Sequence, residues 1–328
     1  MLRVILMTHA RTPARLVLVA ISSFVLIAHT AAATQSPTLN DLRKQLDSIA
    51  EKFAGKLGYS LHHLTKNERL DRAGDEMFPT DSTLKIAIMC AAMEKVERGE
   101  IGYYDLRPLL KEDQTGGSGF FKNYSPGAEI EFTEAMHQMI TVSDNTATLM
   151  LMRWVGGTDA VNGWLDRHDL KTTRLIVQWP MSETLKGDQA ALQKYAEAFE
   201  KWGMGVSTPN EMRTLMEMIV NGNAGTPASA DEMHRLLNHQ YKDSGIASQV
   251  PPSVVVASKS GNSDHSQSDM AIVHSPSGTY ALTIFIKEVD DANQRGQAIQ
   301  AISRAVWRHY HPTDTWEPPA GVAKYWKR

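Results

Sequence analysis

Ser82-Thr83-Leu84-Lys85, followed without a charge by Ile86-Ala87-Ile88-Met89-Cys90-Ala91-Ala92-Met93, is the stretch that decides how the rest of the chain is read. Thr80-Asp81 supply helix-start residues ahead of it and Gly99 a stop, which predicts a long apolar helix ending at about Gly99. Helical residues three apart share a face, so the Lys85 amine comes within reach of the Ser82 hydroxyl. A serine in that place also serves simply as a helix cap, with Lys85 an ordinary charged residue. The apolar setting argues for more. An ammonium among core side chains is costly unless it is paired or loses its proton, and a deprotonated amine is a base. Serine is a poor nucleophile until such a base takes its proton. Free N–H groups at the helix start also favour a developing oxyanion.

Two further triplets follow in order. Ser143-Asp144-Asn145 lies between helical patterns over Phe132–Val142 and Thr146–Val155. Alone it reads as a solvated turn with local caps. Read chemically, Ser143 relays a proton to a leaving nitrogen and Asn145 binds a substrate amide. Lys259-Ser260-Gly261 ends the β-branched run Val254–Ser258. Alone it is a strand entering a turn. Read chemically, Lys259 adds positive charge, Ser260 donates to a substrate carboxylate, and Gly261 lets backbone approach a ligand closely. Each triplet is weak by itself; the three in this order, in an exported chain, point to an acyl-transfer enzyme.

Export is read from the start of the chain. Arg3, Arg11 and Arg15 precede an uncharged apolar run, Leu16–Ala28, and Ala31-Ala32-Ala33 offers a small-residue cleavage site, which predicts a signal peptide over residues 1–33. The run is thirteen residues, short of the ~20 of a spanning helix; the alternative is an uncleaved anchor. Removing the signal takes away three arginines and no acid, leaving 31 Lys+Arg against 37 Asp+Glu, a net charge of −6. That balance argues against nucleic acid and anionic membranes as partners. The expectation is a periplasmic or secreted monomer acting on small molecules, with no stable membrane association once the signal is cleaved. Cys90 is the one cysteine, so no intrachain disulfide forms, and its apolar neighbours make it a core residue. Neither His62-His63 nor His309/His311 comes with cysteine or acidic ligand spacing, so no metal and no other cofactor is expected.

Leu39, Leu42, Leu46, Ile49 and Phe53 predict a helix over Thr38–Phe53. Leu57–Leu64 and Arg69–Met77 read as two strands joined by Lys66-Asn67-Glu68. Gly116–Gly127 is a glycine-rich loop, and Thr208-Pro209-Asn210-Glu211 starts a helix running to Val220. Met270–His274 and Tyr280–Lys287 read as strands around the turn Ser275-Pro276-Ser277-Gly278, and Ala292–His309 as a closing amphipathic helix. Strands at both ends with helices between them give an α+β chain. Its discontinuous α/β lobe spans 38–80 and 232–311, an all-helical lobe spans 81–231, and a polar tail covers 312–328.

With these motifs the chain resembles the penicillin-recognising serine hydrolases, closest to class A β-lactamases, over about Leu39–His311. Met139-Ile140-Thr141-Val142, Thr146-Ala147, Tyr124-Ser125-Pro126 and Ser207-Thr208-Pro209 add to the likeness. The resemblance implies a two-lobed serine β-lactamase/transpeptidase-like fold, with a five-stranded antiparallel sheet, flanking helices, and the site between the lobes. It also implies that Ser82 is the acylated nucleophile and Lys85 its base. Ser143 would pass the proton to the leaving nitrogen with help from Lys259, Asn145 and Tyr124 would line the cleft, and the N–H groups of Ser82 and Asn262 would form the oxyanion hole.

The sequence departs from the family twice. The family's deacylating glutamate follows a tryptophan in a loop opening Thr-Arg-Leu; here Thr173-Arg174-Leu175 leads to Trp179-Pro180-Met181-Ser182, and the first acid is Glu183. The segment 173–209 is also extended, with Leu192, Tyr195, Phe199 and Trp202 predicting an extra helix over Asp188–Trp202, read as added packing or a lid. Second, Asn262–Ala271 holds no lysine or arginine to meet a substrate carboxylate, only His265. The leading expectation is β-lactam hydrolysis through Ser82, with Glu183 or another acid of the long loop positioning the deacylating water. The alternatives are a D-alanyl-D-alanine peptidase or other periplasmic esterase or amidase, and a penicillin-binding or sensor protein that does not turn over.

Overall fold

In a computed structural model, which describes residues 37–181, 183–241 and 244–319, the described residues form ten α-helices and one main sheet. The expected signal peptide and the end of the tail lie outside the described residues. The sheet strands are β1 (Lys56–His63), β2 (Glu68–Arg72), β3 (Val255–Asn262), β4 (Ser266–Ser275) and β5 (Gly278–Lys287). They pair in the order β2-β1-β5-β4-β3, every neighbour antiparallel. The two ends of the chain thus build one sheet, with β3 on its edge.

The helices are α1 (Leu39–Lys52), α2 (Lys85–Glu97), α3 (Phe132–Thr141), α4 (Asn145–Val155), α5 (Thr158–Arg167), α6 (Glu183–Gly187), α7 (Gln189–Trp202), α8 (Pro209–Val220), α9 (Pro227–Asn238) and α10 (Ala292–Tyr310). Alternation along the strands divides the apolar residues between two clusters. Ala257, Met270, Ile272, Ala281 and Phe285 belong to one cluster with residues of α2, α4, α8 and α9. Leu61, Ala271, Val273, Leu282 and Ile284 face the cluster that includes Leu42, Leu46, Ile302 and Trp307 of α1 and α10. From Lys85 to Met93 every side chain of α2 is buried, the pattern of a helix enclosed on all sides. Burial of Cys90 in this run pushes its thiol pKa up and leaves it inert.

Several boundaries move for identifiable reasons. β2 stops at Arg72, short of the expected Met77, because Ala73 takes a φ of 48° and turns the chain; Phe78–Pro79 then pairs with Val206–Ser207. The helix expected from Thr80 opens instead as a 3-10 turn, Asp81–Leu84, and becomes α-helical at Lys85. β3 continues through Lys259-Ser260-Gly261 to Asn262, because Gln267–His274 of β4 pair with it over its whole length. The motif therefore lies in a strand and not at its end. The expected lobe boundary at 231/232 falls inside α9, whose Met233, Leu236 and Leu237 pack with the α2 cluster.

The segment after Thr173 is anchored at its start. The Glu211 carboxylate accepts from the N–H groups of Thr172 and Thr173 and from the Thr173 hydroxyl at 2.6 to 3.1 Å. Asn162 of α5 exchanges two hydrogen bonds with Leu175, and the Thr158 hydroxyl bridges Val177 O and Trp179 N. Beyond Trp179 come α6 and the expected extra helix, α7, capped by Asp188 and with no fully buried side chain.

Candidate active site

Asp81 precedes the serine with a φ of 48°, a left-handed conformation that is uncommon outside glycine. Neighbours hold it there. Ser266 of β4 donates to both Asp81 carboxylate oxygens at 2.9 and 3.0 Å, and Ser268 donates to Thr80 O at 2.7 Å. Two serines of β4 thus fasten the Ser82 turn to the sheet. Gly261 of β3 lies against it so closely that a Cβ there would come within 2.6 Å of Ser82 N. Only glycine permits that approach. It sets the backbone of Ser82 and that of β3 side by side.

Burial pushes the Asp81 carboxyl up to about 6, against the lowering effect of Ser266, Ser263 and Arg295. The folded chain therefore binds this proton more tightly than the unfolded chain, whose carboxyl has its ordinary value of 3.8. Its stabilising contribution is fully present below the unfolded value, declines as pH rises towards 6, and is level above that. The loss amounts to roughly 3 kcal/mol. Asp81→Asn removes the titration. In urea titrations at pH 4 and pH 7, the change in stability on going to pH 7 should then be more favourable in the variant than in the wild type by about 2–3 kcal/mol. An equal change in both proteins would mean that Asp81 does not titrate in this window.

Ser143-Asp144-Asn145 is a buried junction and not the solvated turn that the triplet alone suggests. Asp144 caps α4 through Ala147 N, and its carboxylate also accepts from Phe120 N and Phe121 N. Asn145 N donates to Ser118 O, its carboxamide donates to Gly116 O, and the Ser118 hydroxyl donates to Ser143 O at 2.8 Å. The glycine-rich loop is thereby folded onto the motif. Gly117, with φ 89°, leaves room for Asn145, whose Nδ2 would be 2.4 Å from a Cβ there.

The two lysines meet at Ser143. Lys85 Nζ donates to Ser143 O at 2.7 Å, to Ser143 Oγ at 3.1 Å and to Asn145 Oδ1 at 2.8 Å. Lys259 Nζ donates to the same Ser143 Oγ at 3.1 Å and to Ser260 O at 2.8 Å. Both lysines have no exposed surface. Ser82, Ser143 and Asn145 open onto a cleft of about 300 Å³, with Gly117 and Ser118 on one wall and Ser260, Gly261 and Asn262 on the other. Helix α2, the α3–α4 junction and strand β3 thus bring all three motifs to one cavity.

Two of the expected site residues, Tyr124 and Glu183, are not among the described residues that line the cleft. Tyr124 is 41% exposed, lies outside the cleft lining and packs its ring 5.1 Å from Phe121. Gln114 holds that loop by donating to Lys122 O and Tyr124 O. Glu183 opens α6, and its side chain lies outside the described residues. Sequence reasoning missed Ser118 and also Gln240, whose carboxamide accepts from Ser260 N and donates to Ser260 Oγ, both at 3.2 Å. Neither stands in a motif; the glycines around Ser118 were the one available cue.

A family model described as a beta-lactamase enzyme family matches residues 41–310. The chain belongs to that family. Its similarity to individual members is low but long. It is 20% identical to the beta-lactamase VEB-1 of Pseudomonas aeruginosa over 312 residues, covering 90% of this chain and 97% of the relative. It is 25% identical to the beta-lactamase CTX-M-25 of Escherichia coli over 282 residues, covering 83% and 90%. Among solved structures it is similar to PBP-A, with a TM-score of 0.74 and 22% identity, covering 84% of this chain and 97% of that one. An ancestral class A beta-lactamase gives 0.69 and 25%, covering 81% and 98%. The family's fold, a five-stranded antiparallel sheet with packed helices, is the one described above.

Proposed function

We propose that the protein is an exported serine hydrolase that opens β-lactam rings through an acyl-enzyme on Ser82. The observation that supports this most strongly is the placement of Ser143 Oγ between Lys85 Nζ and Lys259 Nζ, 3.1 Å from each, in the cleft that Ser82 lines. In this reading Lys85 takes the Ser82 proton as Oγ attacks the lactam carbonyl. The oxyanion is received by the N–H groups of Ser82 and Asn262. Ser143 gives its proton to the departing nitrogen, and the two ammonium groups replenish it. Asn145 contacts the substrate amide, and Ser260 donates to the acidic group beside the ring.

A chromogenic cephalosporin tests this reading. Its hydrolysis by the wild-type protein, with free protein recovered in the intact mass spectrum, is the expected result. A penicillin adduct that persists for hours would instead favour the peptidase or non-turning-over alternative. One sequence observation favours that alternative: no acid occurs between Thr173 and Ser182. A PBP-A variant has been solved as an acyl-enzyme complex with penicillin G. Glu183 is the residue assigned here to the deacylating water. Glu183→Gln should leave the acylation burst intact and slow steady-state turnover ~10²-fold. Unchanged turnover removes Glu183 from the mechanism.

A further inference from the structure

The outer edge of β3 faces two cavities, and one side chain stands between them. Ser260, Gly261 and Asn262 line the catalytic cleft, whereas Val254, Val256 and Ser258 of the same chain segment line a groove of about 560 Å³ that also includes Trp316. Gln240 lines the groove and is hydrogen-bonded to Ser260 in the cleft. Resting on the hydrolase reading above, we propose that Gln240 is the specificity-determining residue at the Ser260 end of the cleft. It walls off the apolar groove, so that the substrate group beside Ser260 must be compact and must accept a hydrogen bond.

The backbone fixes Gln240 in that role. Its N–H donates to Leu237 O at the end of α9, and the next N–H, of Tyr241, donates to Thr141 O at the end of α3. The same α3 end leads into Ser143, so the wall and the proton relay share one support. The carboxamide then spends both its ends on Ser260. Its oxygen takes the Ser260 N–H, and its NH₂ donates to Ser260 Oγ. The first bond occupies an N–H of the edge strand that a longer substrate chain would need for strand pairing. The second leaves the Ser260 hydroxyl proton to donate to a ligand acceptor. Beyond the wall, the groove is apolar and large enough for a bulky hydrocarbon group.

Three cephalosporins that differ only in the group beside the ring test this: the free acid, its methyl ester and its diphenylmethyl ester. The wild-type protein should hydrolyse the diphenylmethyl ester about 30-fold less efficiently than the methyl ester, as kcat/KM. Gln240→Ala opens the cleft to the groove and should bring the two esters to within about threefold of each other. Gln240→Asn, one methylene shorter, should fall between. The ratio is taken within one protein sample, so partial unfolding of a variant cancels. Equal efficiency on both esters in the wild type, or an equal loss on both in Gln240→Ala, overturns the role of Gln240 while leaving the hydrolase reading intact. Hydrolysis of none of the three by the wild type sinks that reading, and this inference with it.

Discussion

Ser82→Ala lowers kcat/KM on a hydrolysed β-lactam by on the order of 10⁴-fold or more, the scale on which loss of a nucleophile is felt when the other groups act only through it. Ser82 lines the cleft and is partly exposed, so its hydroxyl has little packing duty. The turn that carries it is held by Ser266 on Asp81 and by Ser268 on Thr80, and none of those bonds uses the Ser82 side chain. The variant should accordingly fold with unchanged stability and still bind substrate. Residual turnover within tenfold of the wild type would require another nucleophile.

The second large effect is expected at Lys85. Lys85→Met keeps the length of the side chain and removes the amine, and acylation should slow by roughly 10³-fold, within the range for losing a general base. The change also leaves Asn145 Oδ1 and one contact each on Ser143 O and Oγ without their donor. Stability should therefore fall by about 1–3 kcal/mol, the penalty for an unsatisfied buried polar group. Because Lys85 and Ser143 act through a shared hydrogen bond, their losses should not add. Lys85→Met/Ser143→Ala should be no slower in acylation than the slower single variant, measured by stopped-flow. A product of the two single effects would show that the lysine and the serine work independently.

Chemistry carried on short spacing was legible in the sequence, and chemistry assembled by long-range packing was not. Ser82 and Lys85 are three apart, and an uncharged run beside them announces a buried helix. The convergence of Ser143 and Lys259 on that pair needs β3 beside the Ser82 turn, which only the ordered set of motifs foretold. The strand pattern ended at Ser258 because Lys259-Ser260-Gly261-Asn262 breaks the β-branched run, yet β4 supplies the pairing that keeps those residues extended. The tripeptide around Tyr124 says nothing about Gln114, whose amide holds that loop by its backbone oxygens. Gln240 belongs to no motif and acquires its place only where α9 ends against α3 and β3. Helices α5 and α9 came without a sequence-level expectation, and the inserted α7 was readable from its apolar spacing alone.

The most direct test is rapid-quench mass spectrometry of the wild-type protein mixed with a penicillin, followed by peptide mapping. A single adduct of the whole drug mass on the peptide that contains Ser82, absent from Ser82→Ala and formed more slowly in Lys85→Met, is the predicted outcome. An adduct on any other residue, or equal labelling of the three proteins, would contradict the assignment of this cleft as the place of acyl transfer.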